Sequence, residues 1–371
     1  MKKLSVDKYF LLSIIILVIA GFIIFSSASL GLLAKGGELY SSAAFSQTFF
    51  GLFFGTIGAI IVSRIDYKKW RKYSFYLFIL SVIATLLVFV PGLGLEFGGA
   101  SRWIKIASFT FQTSELLKVA FIIYFSAWIA AVKNKISTFK YGFLPFLILL
   151  SVVGVSLLLQ PDTDTFAVII AAGMAMFLAG GGKIRYLFLL VLVSILGLLI
   201  IASARPYVKQ RLTTFLNPTE NSLSSSYQIQ QSLIAIGSGG INGRGFGQSI
   251  QKFNFLPEPI GDSIFAVASE EFGFMGGVTL ISFFLFFTIR GLKIAVRIDD
   301  LFGRMLVVGL VMLIVTQAFV NIGAMLGVIP LTGIPLPFIS HGGSALLMVM
   351  IEVGIILNVS RYQKRSPISE S

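Results

Sequence analysis

The chain reads as an all-α, polytopic membrane protein with about ten transmembrane helices and a large extracytoplasmic loop between helices seven and eight. Three observations predict this. Of 371 residues, 56% are hydrophobic and 12% charged, where a soluble domain carries about 25% charged residues. Apolar runs of roughly 20 residues recur along the whole length, each able to cross about 30 Å of hydrocarbon. One long polar stretch, Tyr227 to Gly277, interrupts them. Spans plus loops account for a single membrane domain, 1–371, with no room for a soluble catalytic domain.

In chain order the runs place spans at 8–29, 44–63, 74–91, 115–132, 142–160, 165–181, 184–203, 264–289, 305–326 and 345–360. The first follows MKKLSVDKYF and is longer than an ordinary signal-peptide core, so it is expected to remain as a span. With the amino terminus in the cytoplasm, 20 of the 29 Lys and Arg fall in cytoplasmic segments and nine outside. That is the positive-inside bias, and it puts both termini in the cytoplasm. Ten of the sixteen acids go the other way, as do three long polar segments, 92–114, 204–263 and 327–344. Chemistry is therefore expected on the outer face of the cytoplasmic membrane. The tail, about 361–371, is short and polar, and is expected to be disordered.

Composition also excludes functions. The net charge of +13 comes from cations at the ends of apolar runs, not from an aromatic-laced basic strip, so nucleic acid is not a partner. No cysteine is present, which removes disulfides, thiolate nucleophiles and cysteine metal sites. A single histidine, His341, rules out a histidine-rich metal cage. No paired Gly/Pro-interrupted spans suggest an inverted-repeat transporter.

Asp262 stands at the mouth of an apolar helix. It can be an N-cap together with Ser263, or a half-buried carboxylate that accepts a hydroxyl proton. Glu270 and Glu271, two turns deeper, need a cation such as Lys118 or Arg102, or a cavity. Glu115 and Lys118 are spaced to share a helix face and pair. Arg102 offers a planar fork to phosphate or carboxylate, and Trp103 an interfacial anchor. Asp162 and Asp164 can hold a divalent cation through oxygen, or Asp162 can cap the sixth span. GSGGINGRGFG is only loosely like a phosphate loop, since no strand precedes it and no GK[ST] follows. His341 reads as an acid, a base or a structural group, and mid-span Glu352 needs a partner the sequence does not name.

Assembled, these residues resemble the SEDS family (shape, elongation, division and sporulation), which includes RodA and FtsW. The resemblance covers nearly the whole chain through six ordered blocks. They are GASRWIKI (99–106), QTSELLK (112–118), QPDTDT (160–165), YQIQQSLIAIGSGG (227–240), FLPEPIGDSIFAVASEEFGF (255–274) and GIPLPFISHGGSA (333–345). GRGFGQSIQKFNFLPE is similar to the FtsW-like branch. The chain departs from the family pattern at Ile260–Gly261, usually His-Thr, and at Asp164, where QPDLGT is usual. Thr113 stands for the proline of QPSE, and His341 for the tyrosine of SYGG.

The resemblance implies peptidoglycan glycosyltransferase activity with Asp262 as the catalytic base. It implies that Arg102, Glu115, Lys118, Glu258 and Ser340 hold substrate and its pyrophosphate. A divalent cation, magnesium or manganese, is implied at Asp162, with no organic cofactor. The substrate would be lipid II, polymerised with inversion and release of undecaprenyl pyrophosphate. The partners would be a class B penicillin-binding protein, which is a transpeptidase, and other divisome or elongasome proteins. Two rival readings stay open: a lipid II flippase, which intramembrane charges would also suit, and a scaffold that only recruits a transpeptidase.

Overall fold

The computed structural model describes residues 5–33, 36–97, 100–106, 109–204, 206–216 and 225–364; most of the expected tail lies outside them. The first span is α1 (Lys8–Leu33). The second is built from α2 (Gly37–Phe45), a π-helical stretch (Ser46–Phe54) and α3 (Gly55–Arg64). There follow α4 (Lys68–Leu86), α5 (Thr113–Val132), α6 (Leu144–Leu159), α7 (Thr163–Ala179) and α8 (Ile184–Ala204). Two loop helices, α9 (Pro206–Leu216) and α10 (Ser225–Ser238), precede α11 (Ile264–Val296), α12 (Leu301–Met325) and α13 (Gly343–Ser360). Among the described residues nine helices are long and apolar enough to cross a membrane, and α7, with 17 residues, is a shorter apolar tenth. Hydrocarbon offers backbone groups no partners, so each span must satisfy its own, which a helix does.

Burial sorts the spans. Within their apolar windows, 78% of α12 and of α13 is buried but only 11% of α8. α12 therefore sits at the centre, packed on α5, α7 and α11, with α13 against α3, while α8 is peripheral. The core is apolar throughout, for example Phe121, Phe125 and Phe146 with Phe177.

The 92–114 segment is not the simple loop the sequence suggests. It forms a three-stranded antiparallel sheet of β1 (Gly94–Phe97), β2 (Ala100–Ile106) and β3 (Phe109–Gln112), in that order. Trp103 pairs with Gln112 and Lys105 with Thr110, so the sheet delivers the chain straight into α5.

Two local distortions aim polar groups at the loops. In the π-helical stretch, buried Gln47 donates to Ser340 O (3.1 Å) and accepts from Gly342 N (3.0 Å). Wide turns of this kind are common at functional sites. In α11, Gly273 adopts φ 68°, ψ −167°, a break only glycine tolerates without strain. A Cβ there would lie 2.3 Å from Gly243 N, so the break also admits the Gly-rich loop.

Candidate active site

Asp262 ends a tight turn laid down by its own sequence. Glu258 takes φ 47°, and its carbonyl accepts from Gly261 N (3.0 Å) and Ser263 N (3.2 Å). Bonds from four residues fix the turn to the bundle. Ser340 Oγ donates to Gly261 O (2.7 Å), and His341 N to Ile260 O (2.7 Å). Asn321 of α12 donates to Asp262 O (2.8 Å) and Ile334 O (2.8 Å), and Gln228 of α10 to Ser263 Oγ (2.9 Å). The backbone is thus held while no hydrogen bond among the described residues ends on the Asp262 carboxylate. The N-cap of α11 is Ser263, and no side chain bonds into its first turn. Asp262 does not cap.

The electrostatics keep this carboxyl reactive. Burial pushes its pKa up from 3.8 to about 7, the Glu258 and Asp164 charges add to this, and Arg211 and Arg102 oppose it. A group poised near neutrality can both lose and accept a proton.

Facing it is the QPDTDT turn. Asp162 caps α7, accepting from Thr165 N (3.4 Å), so the capping reading holds. Arg102 of β2 does not point into open space: Nε donates to Gln160 O (3.2 Å), Nη2 donates to Pro161 O, and Nη1 lies 3.7 Å from Asp162. It ties the sheet to the turn. Asp164 accepts from Gly333 N (2.9 Å) and from Arg211 of α9 (2.7 Å). Arg211 was not singled out in the sequence, because its partner lies 47 residues away and no motif surrounds it. Asp164 is taken up by Thr163, Arg211 and Gly333 N, and Asp162 Oδ1 by the helix end with Arg102 alongside, so Asp162 Oδ2 is the one oxygen of these two acids left to meet a divalent cation. No group of three acids or histidines that could hold one occurs among the described residues.

Glu115 and Lys118 pair as their spacing predicts (2.9 Å), and Lys118 also donates to Gln317 (2.8 Å), which in turn donates to Pro335 O (3.1 Å). They line a cavity of about 10 Å³ together with Asp162, Thr165 and Gly333, room for about one water. Glu115 Oε2 and Asp162 Oδ2 are buried without a protein partner. Of the charges that act on Glu352, Lys118 attracts it and Glu115 repels it, so Lys118 is the cation the sequence did not name.

The glutamates of α11 need a correction. Their cations are neither Lys118 nor Arg102 but two residues of the Gly-rich loop. Lys252 pairs with Glu271 (2.7 Å) and Arg244 with Glu270 (3.4 Å). Glu270 also accepts from Ser249 Oγ (2.5 Å), Ile250 N (3.1 Å) and Gln251 N (3.2 Å). The loop amides do cradle an anion, but it is the protein's own carboxylate. His341 stacks on Phe25 at 6.0 Å, its Nε2 has no partner, and burial holds its pKa below the usual value.

Of the residues assigned from sequence, the structure brings Asp262 and Glu258 into one turn, which Ser340 holds through Gly261 O, and sets Arg102 and Asp162 across from it. Glu115 and Lys118 lie behind, at the cavity. The profile of the FtsW/RodA/SpoVE family, described as cell cycle protein, matches residues 7–365. Stage V sporulation protein E of Bacillus subtilis is 36% identical over 370 residues, 98% of this chain and 99% of that one. A probable peptidoglycan glycosyltransferase FtsW of Geobacter sp. (strain M18) is 37% identical over 356 residues, 95% and 96% of the two chains. In fold, a chain of a peptidoglycan synthase complex superposes with a TM-score of 0.79 at 24% identity, covering 98% of this chain and all of the other. Thermus thermophilus RodA gives 0.66 at 23% identity, covering 94% and 97%. A break at Gly273, a held turn ending in an unbonded Asp262 and full-length similarity to these proteins agree: the chain belongs to the FtsW/RodA/SpoVE family of polytopic membrane proteins.

Proposed function

We propose that this protein polymerises lipid II into glycan strands by inverting glycosyl transfer on the outer face of the cytoplasmic membrane, in cell division or elongation. The observation that carries the reading is the Asp262 carboxylate, unbonded on an immobilised backbone. Asp262 takes the proton of the acceptor GlcNAc 4-hydroxyl as that oxygen attacks C1 of the growing strand's terminal MurNAc. The C1–O bond to the diphosphate breaks as the new C1–O bond forms, so configuration inverts and undecaprenyl pyrophosphate departs. The leaving diphosphate needs no protonation, only cations in a low-dielectric setting; Arg102, across from Asp262, is the nearer source, and Lys118, paired with Glu115, lies further back. No step is routed through a metal ion.

The excess of cations at one end of the spans supports an arrangement with both termini in the cytoplasm. A class B penicillin-binding protein is the proposed partner, because a chain of the same fold sits in a peptidoglycan synthase complex that coordinates polymerization with crosslinking. One observation favours lipid transport as a second reading: Glu115, Lys118 and Glu352 are charges buried inside the bundle.

Purified protein with its transpeptidase and labelled lipid II separates these. Wild type is expected to make long glycan and Asp262→Asn none, with folding and lipid II binding retained. A variant as active as wild type would remove Asp262 from the chemistry. Lipid II crossing a bilayer with no polymer formed by either protein would favour transport.

A further inference from the structure

Two guanidinium groups act on the charge of Asp262, and they are held differently. Arg102, 17% exposed, is fixed by backbone carbonyls of the turn before α7; an incoming anion cannot replace those acceptors without stranding them. Arg211 comes from α9 in the loop between spans seven and eight. Its side chain is 28% exposed and donates to Asp164 Oδ2 at 2.7 Å. Asp164 is 13% exposed, so water does not readily take its place, but phosphate oxygens offer a guanidinium the same fork-shaped acceptor as a carboxylate and can exchange for it. Asp164 Oδ2 also accepts from Gly333 N (2.9 Å), so it keeps a partner when Arg211 departs.

Gly333 lies between the two acids. A Cβ there would sit 3.6 Å from Asp262 Oδ2 and 3.9 Å from Asp164 Oδ2. An anion that draws Arg211 off Asp164 is therefore bound beside Asp262, and it leaves Asp164 as an uncompensated charge next to the base. Of the charged groups acting on Asp262, Glu258 and Asp164 raise its basicity while Arg211 and Arg102 lower it. Loss of Arg211 to an anion would shift that balance towards a stronger base.

We propose that Arg211 is a displaceable cation, resting on Asp164 and transferring to the diphosphate of a prenyl-diphosphate substrate or product, so that arrival of the leaving group is coupled to Asp262. The proposal rests on the glycosyltransferase reading above. It assigns to Arg211 the contact that sequence reasoning gave to Arg102.

The test is binding of fluorescent undecaprenyl pyrophosphate to the purified full-length protein, which requires no turnover. Wild type, Arg211→Ala, Arg211→Lys, Asp164→Asn and the double variant Arg211→Ala/Asp164→Asn are compared, with folding checked by thermal melting. Losing a charged hydrogen bond should weaken binding by about tenfold or more in Arg211→Ala, with partial retention in Arg211→Lys. Asp164→Asn should tighten binding several-fold in wild type yet change little in the Arg211→Ala background, because its effect runs through Arg211. If Asp164→Asn weakens binding as Arg211→Ala does, the pair is a structural latch and the proposal fails. If Asp164→Asn tightens binding equally in both backgrounds, Asp164 only repels the ligand and the proposal fails too. Unchanged binding in Arg211→Ala overturns it directly. No prenyl-diphosphate binding by wild type would instead sink the glycosyltransferase reading.

Discussion

At the residue scale, Asp262 has two pH signatures of opposite use. As a base it must be ionised, so polymerisation should rise with pH along a limb of apparent pKa near 7 and fall about tenfold per unit below it. Stability runs the other way. In the unfolded chain the carboxyl titrates near its ordinary 3.8, whereas in the folded protein it holds its proton to about 7. Folding favours the protonated form, so the contribution is whole below about pH 4 and is lost as pH rises to and through about 7. Asp262→Asn, neutral throughout, should melt above wild type at pH 8, with the gap closing towards pH 4. Equal melting of the two at pH 8 would show that burial does not act on this carboxyl. Asp262 was legible in the sequence because a carboxylate at the mouth of an apolar run is costly and has few local partners. Its neighbours were legible only where spacing is short, as for Glu115 and Lys118. Arg211 and Asn321 meet the site through the fold alone.

At the element scale, the Gly-rich loop and α11 hold each other. The break at Gly273 leaves the carbonyls of Glu270 and Glu271 free, and they accept from Arg244 N (3.0 Å) and Gly245 N (2.9 Å). Lys252 completes the joint: its ammonium, fully buried, meets Glu271 (2.7 Å), Ser27 of α1 (3.0 Å) and Gly247 O (2.9 Å). Removing one partner of a buried pair costs about 3–5 kcal/mol, because the other charge is stranded. Lys252→Met should therefore lower the melting temperature sharply in detergent, and Lys252→Met/Glu271→Gln should recover part of the loss. If the double variant melts no higher than the single one, the stranded carboxylate is not the cause. The sequence indicated that these glutamates need cations, since charge inside an apolar helix demands it. It did not indicate which cations, because a loop's path is set by backbone bonds that leave no periodic trace. The three-stranded sheet was missed for a related reason: four-residue strands carry too short an alternation to separate from loop.

At the scale of the whole molecule, the ten apolar helices were readable to within about seven residues at each end, because length and apolarity decide what crosses hydrocarbon. The span expected at 184–203 is Ile184–Ala204, and that at 345–360 is Gly343–Ser360. Helix ends moved most where a polar segment continues the helix, as in α11, which runs on to Val296. Inter-helix packing was not readable, since apolar side chains face both lipid and protein. The sidedness rests on the cation count, and the composition makes it directly testable. The chain contains no cysteine, so single cysteines report without a background to remove. Phe253 and Asn254, exposed in the loop before α11, and Asn134 and Lys135, exposed beyond α5, lie at ends that the alternation of spans places on opposite sides. In intact spheroplasts a membrane-impermeant maleimide should label Asn254→Cys within minutes and Asn134→Cys only after permeabilisation. The reverse order would turn the molecule over. Asp262 would then face the cytoplasm, and a strand polymerised there could not reach the wall without a transport step, which would return the buried charges at Glu115, Lys118 and Glu352 to the centre of the mechanism.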